Sequence, residues 1–171
     1  MTMQHADTAT EVKTFVNAEN LLNEWVGHRR LTRRVIEAFP EDILFTYRVG
    51  TMRTFADMMK ELLDIGAPGI KGIVTDKWEN NGFSEHTFTP EQKNKAYLLE
   101  QWDLATEEII NWFARISEAR FQETVVAFGA YEGQVFSTIL YFIDNEIHHR
   151  AQGYVYLRSL GIEPPAFWNR N

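Results

Sequence analysis

Apolar residues recur at three- and four-residue steps in four stretches of the chain, and each stretch predicts an amphipathic helix. The first runs from about Glu19 to Phe39, where Leu21, Leu22, Trp25, Val35, Ile36 and Phe39 hold the helical period. Pro40 stops it, because proline has no N–H to continue the hydrogen-bond ladder. The second begins at Thr54, a good N-cap, with Asp57 in the favoured acidic first turn. Phe55, Met58, Met59, Leu62 and Ile65 form its stripe. Gly66, Pro68 and Gly69 then predict a kink, or an end followed by a short helix over about Ile70 to Trp78.

Asn80-Asn81-Gly82 predicts a loop. Thr89-Pro90-Glu91-Gln92 combines a Thr cap, Pro at the first position and Gln three residues on, which predicts the start of a third helix. Leu99, Trp102, Ile109, Trp112, Phe113 and Ile116 carry that helix to about Ala119. Phe121 to Gly133 contains Thr124, Val125 and Val126 and predicts an ordered loop or a short strand-like stretch. The fourth helix spans about Glu132 to Leu160, with Gly161 where a C-terminal glycine cap belongs and Pro164-Pro165 beyond. Residues 1–18 read as a tail or a short leading helix. Four long amphipathic helices in 171 residues predict one all-α domain, a four-helix bundle over 1–171. The connection between the second and third helices is long enough to cross it.

Composition narrows the function classes. The chain is 44% hydrophobic and 24% charged, which suits a packed globular domain. Its net charge of -7 repels phosphate backbones and argues against nucleic acid as a partner. Arg29-Arg30 and Arg33-Arg34 are the one dense basic group; they spread over more than one side of a helix and predict a solvated face. With no cysteine, disulfides, thiolate metal sites and Cys nucleophiles are excluded, and the absence fits a cytoplasmic protein. Met1 to Glu11 lacks the apolar core of a signal peptide, and no apolar run approaches the ~20 residues that span a bilayer. Gly-rich phosphate loops, HExxH and nucleophile elbows are absent.

The candidate chemistry centres on Asp144-Asn145-Glu146-Ile147-His148-His149-Arg150, a polar cluster between apolar stretches of the fourth helix. Buried polar groups need partners or a ligand. Asn145 and His149 are four apart and share a face, which Gln152 and Tyr156 continue. Glu146 and Arg150 lie on an adjacent face in the order that favours an ion pair. His148 points about 100° away from His149. An imidazole with oxygen donors on one helical face is half of a first-row metal site, with the remaining ligands coming from another helix. Glu61, bordering the stripe of the second helix, is the best candidate there. The alternative is a structural polar cluster. His86 reads as a loop residue, His28 as a boundary residue, and His5 lies in the tail.

Asp144 to Gln152, followed by Tyr156-Leu157-Arg158 and Leu160-Gly161-Ile162-Glu163-Pro164-Pro165, resembles the last helix of the DinB/YfiT-like superfamily. Thr54 to Met59 resembles the start of that family's second helix, and Trp25 to Pro40 fits its first. The resemblance implies a four-helix bundle with a crossing connection, often a homodimer. It also implies a divalent metal, nickel or zinc, held by three histidines: one on the second helix and two spaced by four on the last. Some members are thiol S-transferases that use a thiol cosubstrate. The family name refers to induction after DNA damage and carries no implication of DNA binding. Here His149 matches the second histidine of the last helix, while Asn145 and Glu61 fall where the other two are expected. That set suits nickel or zinc less well and harder ions such as manganese better. His148, Glu146, Arg150, Gln152 and Tyr156 are the surrounding candidates. The resulting readings are a metal-dependent thiol S-transferase or hydrolase, and a metal-free bundle that binds a small molecule or serves as a dimeric interaction protein.

Overall fold

The computed structural model describes residues 16–79 and 85–171; most of the predicted tail, His5 and the Asn80-Asn81-Gly82 loop lie outside them. Helix α1 (Ala18–Ala38) is capped by Asn17, whose Oδ1 accepts from the Asn20 N–H at 2.8 Å. It ends before Pro40, which opens the short helix α2 (Glu41–Leu44). Helix α3 (Phe55–Thr75) is capped by Thr54, whose hydroxyl accepts from the Asp57 N–H at 3.1 Å.

Of the two alternatives at Gly66, Pro68 and Gly69, the end followed by a short helix is absent, because α3 continues through all three to Thr75. Pro68 removes one hydrogen bond of the ladder, but packing on both sides keeps the helix intact. Gly69 lies so close to the Phe142 ring that a Cβ there would overlap it. This glycine marks a close helix approach. Tertiary contact outweighs local propensity.

The Thr89-Pro90 start yields a single 3-10 turn, Pro90–Gln92, and helix α4 (Lys95–Phe113) begins later under Asn94, whose Oδ1 accepts from the Tyr97 N–H. It also ends earlier than Ala119. Its last turn tightens through Arg115 N–H to Trp112 and Ile116 N–H to Phe113 bonds, and the chain turns so that Phe121 packs on Phe113.

Strands β1 (Thr124–Ala127) and β2 (Tyr131–Gln134) form an antiparallel hairpin with Val126 opposite Glu132. The strand-like stretch is therefore a real strand, and Glu132 belongs to the hairpin. Val125 and Ala127 face the core. Phe128 at the turn adopts a left-handed φ of 53°, costly for a bulky residue, and its ring is held by Trp78 and Phe142.

Helix α5 (Val135–Ser159) follows directly. It closes as expected on Gly161, at φ 75°, with Ile162 N–H bonding Leu157 O at 2.9 Å and Gly161 N–H bonding Arg158 O at 3.0 Å.

The long helices make the four-helix bundle. α1 packs on α4 and α5, and α3 packs on the same two. Hence α1 and α3 sit at opposite corners, and the diagonal passages are 39–54 and 114–134. α3 and α4 are neighbours that run parallel, with Phe55 to Leu62 packed in one cluster with Leu98 and Trp102, and Ile65 to Ile73 in the other with Ile109 and Phe113. The chain therefore returns the length of the bundle between Thr75 and Lys95, as the long connection allows. The core has two apolar clusters, one around Trp25, Ile70, Ile139 and Phe142, the other around Val35, Phe55, Met59 and Tyr156. Among the described residues no helix is long and apolar enough to cross a membrane.

Candidate functional site

The polar segment of α5 divides between two sides of the helix, as its periodicity predicts. Glu146 and Arg150 point at α1, into the boundary between the two apolar clusters. Glu146 is 1% exposed. Its Oε1 accepts from the Thr32 hydroxyl at 2.6 Å, and its Oε2 accepts from Trp25 Nε1 at 3.1 Å. Arg29 NH1 and Arg150 NH1 stand 3.8 and 3.9 Å from its carboxylate. Arg150 also donates to Thr32 Oγ1 at 3.1 Å and to His28 Nδ1 at 2.9 Å.

Arg29 overturns the solvated reading of its basic run. It is buried, stacks 3.4 Å over the Trp102 ring, and donates to Trp102 O and Thr106 Oγ1. Burial lowers its pKa to about 10, against the opposing pull of Glu146. His28 is likewise buried rather than at the boundary. Burial, then the Arg150 and Arg170 charges, lower its pKa to about 4. None of these residues lines the cleft beside Glu61, and the network works in packing.

Asn145 and His149 point the other way, toward α3, where they meet Glu61. Asn145 Nδ2 donates to Glu61 Oε1 at 3.0 Å, and His149 Nε2 lies 3.2 Å from the same oxygen. The three residues expected to share a site do converge. Gln152 bridges the two imidazoles, with Oε1 3.2 Å from His149 Nδ1 and Nε2 2.9 Å from His148 Nε2. His148 itself sits outside the convergence, on the exposed flank.

The residue that sequence reading missed is Arg53. Its NH2 lies 2.5 Å from Glu61 Oε2 and 3.5 Å from His149 Nε2. Tyr156, fully buried on α5, fixes it from behind by donating its hydroxyl to Arg53 O at 2.8 Å. No spacing rule marks Arg53, which precedes the Thr54 cap in a loop. Burial alone would push the Glu61 carboxyl up, but hydrogen bonds from His149, Asn145 and Arg53 outweigh it and hold the group well below the usual carboxylate range.

These residues do not fit a resident divalent metal. Among the described residues no three His, Cys, Asp or Glu gather around one point. Asn145 presents its NH2 to the carboxylate, and an amide nitrogen with its hydrogens is no ligand. A guanidinium already rests on Glu61, so a second cation there would face direct repulsion.

Beside Glu61 a cleft of about 240 Å³ opens between α3, α5 and the hairpin. Ile65, Phe128 and Phe142 line its apolar floor; Tyr131, Glu132 and Tyr141 stand on its walls. His86 also lines it and places Nδ1 2.9 Å from Asp64 Oδ2, a role beyond that of a plain loop residue.

Comparison with known proteins agrees with this architecture. A crystal structure of a DinB-like protein from Bacillus cereus ATCC 10987 superposes with a TM-score of 0.70, covering 88% of this chain and 97% of that one at 13% identity. At that identity the likeness is one of fold. No curated protein matches the chain. The model of the DinB family matches residues 10–170, nearly the whole length. The chain belongs to the DinB family.

Proposed function

We propose that this chain is a metal-free member of its family that binds a small molecule in the cleft beside Glu61. One observation carries the reading: the Arg53 guanidinium lies on Glu61 and reaches toward His149, so an internal cation balances the carboxylate where a metal ion would otherwise do so. The site then retains a fixed charge pair, an ordered imidazole and an adjoining cleft, without a Lewis acid. The partner is a small molecule and not nucleic acid, consistent with the net charge of -7.

Metal analysis of untagged protein tests this. The expected content of nickel, zinc and manganese is below about a tenth of an equivalent per chain, with no thermal shift on adding them. Arg53→Ala is expected to gain metal affinity, and Arg53→Ala with Asn145→His to gain more. Near-stoichiometric metal in the unaltered protein that is lost in His149→Ala overturns the reading. That result restores the metal-dependent S-transferase or hydrolase, with a thiol cosubstrate supplied from outside.

A homodimer is also proposed. Phe136, Leu140, Ile147 and Val155 form an exposed apolar stripe along α5. Sedimentation showing a concentration-independent monomer rules it out.

A further inference from the structure

Two buried side-chain polar atoms among the described residues lack a hydrogen-bond partner, Arg34 Nε and Tyr154 Oη. Both lie where α1 meets α5, and neither residue lines the cleft beside Glu61. Tyr154 is 9% exposed, yet its hydroxyl bonds to nothing. A buried donor left unpaired forfeits the bonds it had to water, so such groups call for a partner from outside the chain. Water or a ligand can supply one, and the surrounding charge decides between them.

That charge is one-sided. Burial raises the Tyr154 phenol pKa, and the charges of Arg150, Arg34 and Arg158 pull against it. The Arg158 guanidinium stands 5.7 Å from the centre of the Tyr154 ring. Among the described residues Arg30, Arg34 and Arg158 pair with no carboxylate, and Arg29 and Arg150 share the single carboxylate of Glu146. This flank therefore carries an excess of positive charge on a chain whose net charge is -7. A neutral water leaves the excess in place. An oxyanion offsets it and accepts from both unpaired donors.

The chain beyond α5 supplies what Arg30 and Arg34 use instead. It returns along α1, where Arg170 lies against Gly27. Arg34 NH2 donates to Asn169 O, and Arg30 Nε donates to Arg170 O at 2.9 Å. Both acceptors are neutral carbonyls, weaker partners for a guanidinium than an anionic oxygen. The Arg170–Glu24 pair is a third tie, at the surface. Phe167 and Trp168, 68% and 75% exposed, precede Asn169 and offer ring faces to the body of a phosphate ester.

We propose that the junction of α1, α5 and the C-terminal segment binds a phosphate-type oxyanion, free or as the ester of a small molecule, held by Arg34 Nε, the Tyr154 hydroxyl and the Arg158 guanidinium. The site is separate from the cleft and does not depend on the reading of Glu61. Binding exchanges the Asn169 carbonyl on Arg34 for the anion, so the segment shifts aside. No covalent step is involved.

Titration calorimetry of the full chain tests this at about pH 7.5, where a phosphate ester carries close to two charges. The probes are inorganic phosphate, phenyl phosphate and acetate at matched ionic strength in chloride. Inorganic phosphate is expected to bind with a Kd of about 1 mM, and acetate about fivefold more weakly. Tighter binding of phenyl phosphate that falls to the inorganic value in Trp168→Ala assigns an ester; equal binding assigns the free anion. Arg158→Gln, at an exposed position, and Tyr154→Phe are each expected to weaken phosphate about threefold to tenfold. Tyr154→Phe also distinguishes an unpaired hydroxyl from a hydrated one. In phosphate-free buffer its melting temperature is expected to equal or exceed that of the unaltered protein, because it loses no bond. A lower melting temperature there, as a bound water would give, overturns the proposal. So does the absence of saturable binding of either phosphate up to about 20 mM. Acetate binding as tightly as phosphate, or unchanged phosphate affinity in both variants, overturns it as well.

Discussion

Two polar clusters drawn from the same seven residues of α5 differ in how their charges are balanced. On the α1 side, Glu146 is held by Thr32, Trp25, Arg29 and Arg150, all buried, with none of their side-chain polar atoms left unpartnered. On the α3 side, Glu61 is held by Asn145, His149 and Arg53, only partly covered, and borders open volume. The first is buried and fixes how α1, α4 and α5 pack. The second has a comparable set of partners but faces a cleft. Burial of a charge alone therefore does not set the candidate site apart in this bundle; a satisfied charge beside accessible space does.

The largest expected effect tests the interior cluster. Glu146→Ala leaves Arg29 and Arg150 as uncompensated buried cations, which typically costs about 3–5 kcal/mol. Urea denaturation followed by circular dichroism measures it. A loss under about 1 kcal/mol would mean that water reaches these groups and that the two clusters are alike.

The corresponding change on the α3 side is smaller. His149→Ala removes one partner of Glu61 while Asn145 and Arg53 remain, so about 1 kcal/mol is expected. A loss as large as that of Glu146→Ala would assign the α3 cluster to stability and weaken the case for a binding site there.

The helical period alone separates these two clusters. The four-residue step placed Asn145 with His149 and Glu146 with Arg150, because side chains on a helix follow a fixed angle. Glu61 was legible from its place beside the apolar stripe of α3. What stayed hidden depends on contacts remote in sequence. Arg29 looks like a solvated residue in a basic run; its burial follows from Trp102 and Glu146, 73 and 117 positions away. Arg53 has no periodic signal and is aimed by Tyr156, 103 residues later. Gly69 and Pro68 read as a break because the Phe142 ring that packs on Gly69 comes from α5.

The smallest effect is a pH dependence that separates the clusters by window. Arg150 donates to His28 Nδ1, so the lone pair must stay on that nitrogen, and a proton there would oppose the guanidinium. Arg150 of α5 and Arg170 of the C-terminal segment both face the ring and lower its pKa to about 4, after the larger contribution of burial. The unfolded chain takes up this proton near the ordinary value of 6.5. Between pH 6.5 and 4 the unfolded state therefore binds more protons, and stability falls as pH falls through that window. Glu61, with its pKa depressed, contributes its loss only below its ordinary value of 4.5. From pH 6.5 to 4.5 the effect thus belongs to the interior cluster. His28→Asn keeps an acceptor for Arg150 and removes the titration, so its denaturation midpoint is expected to fall less than that of the unaltered protein, by on the order of 0.5–1 kcal/mol over those two units. Histidine NMR checks the assignment directly: the His28 ring signals are expected to stay neutral to below pH 5. Titration of that ring near 6.5 would show that solvent enters between α1 and α5 and that the interior cluster is not closed.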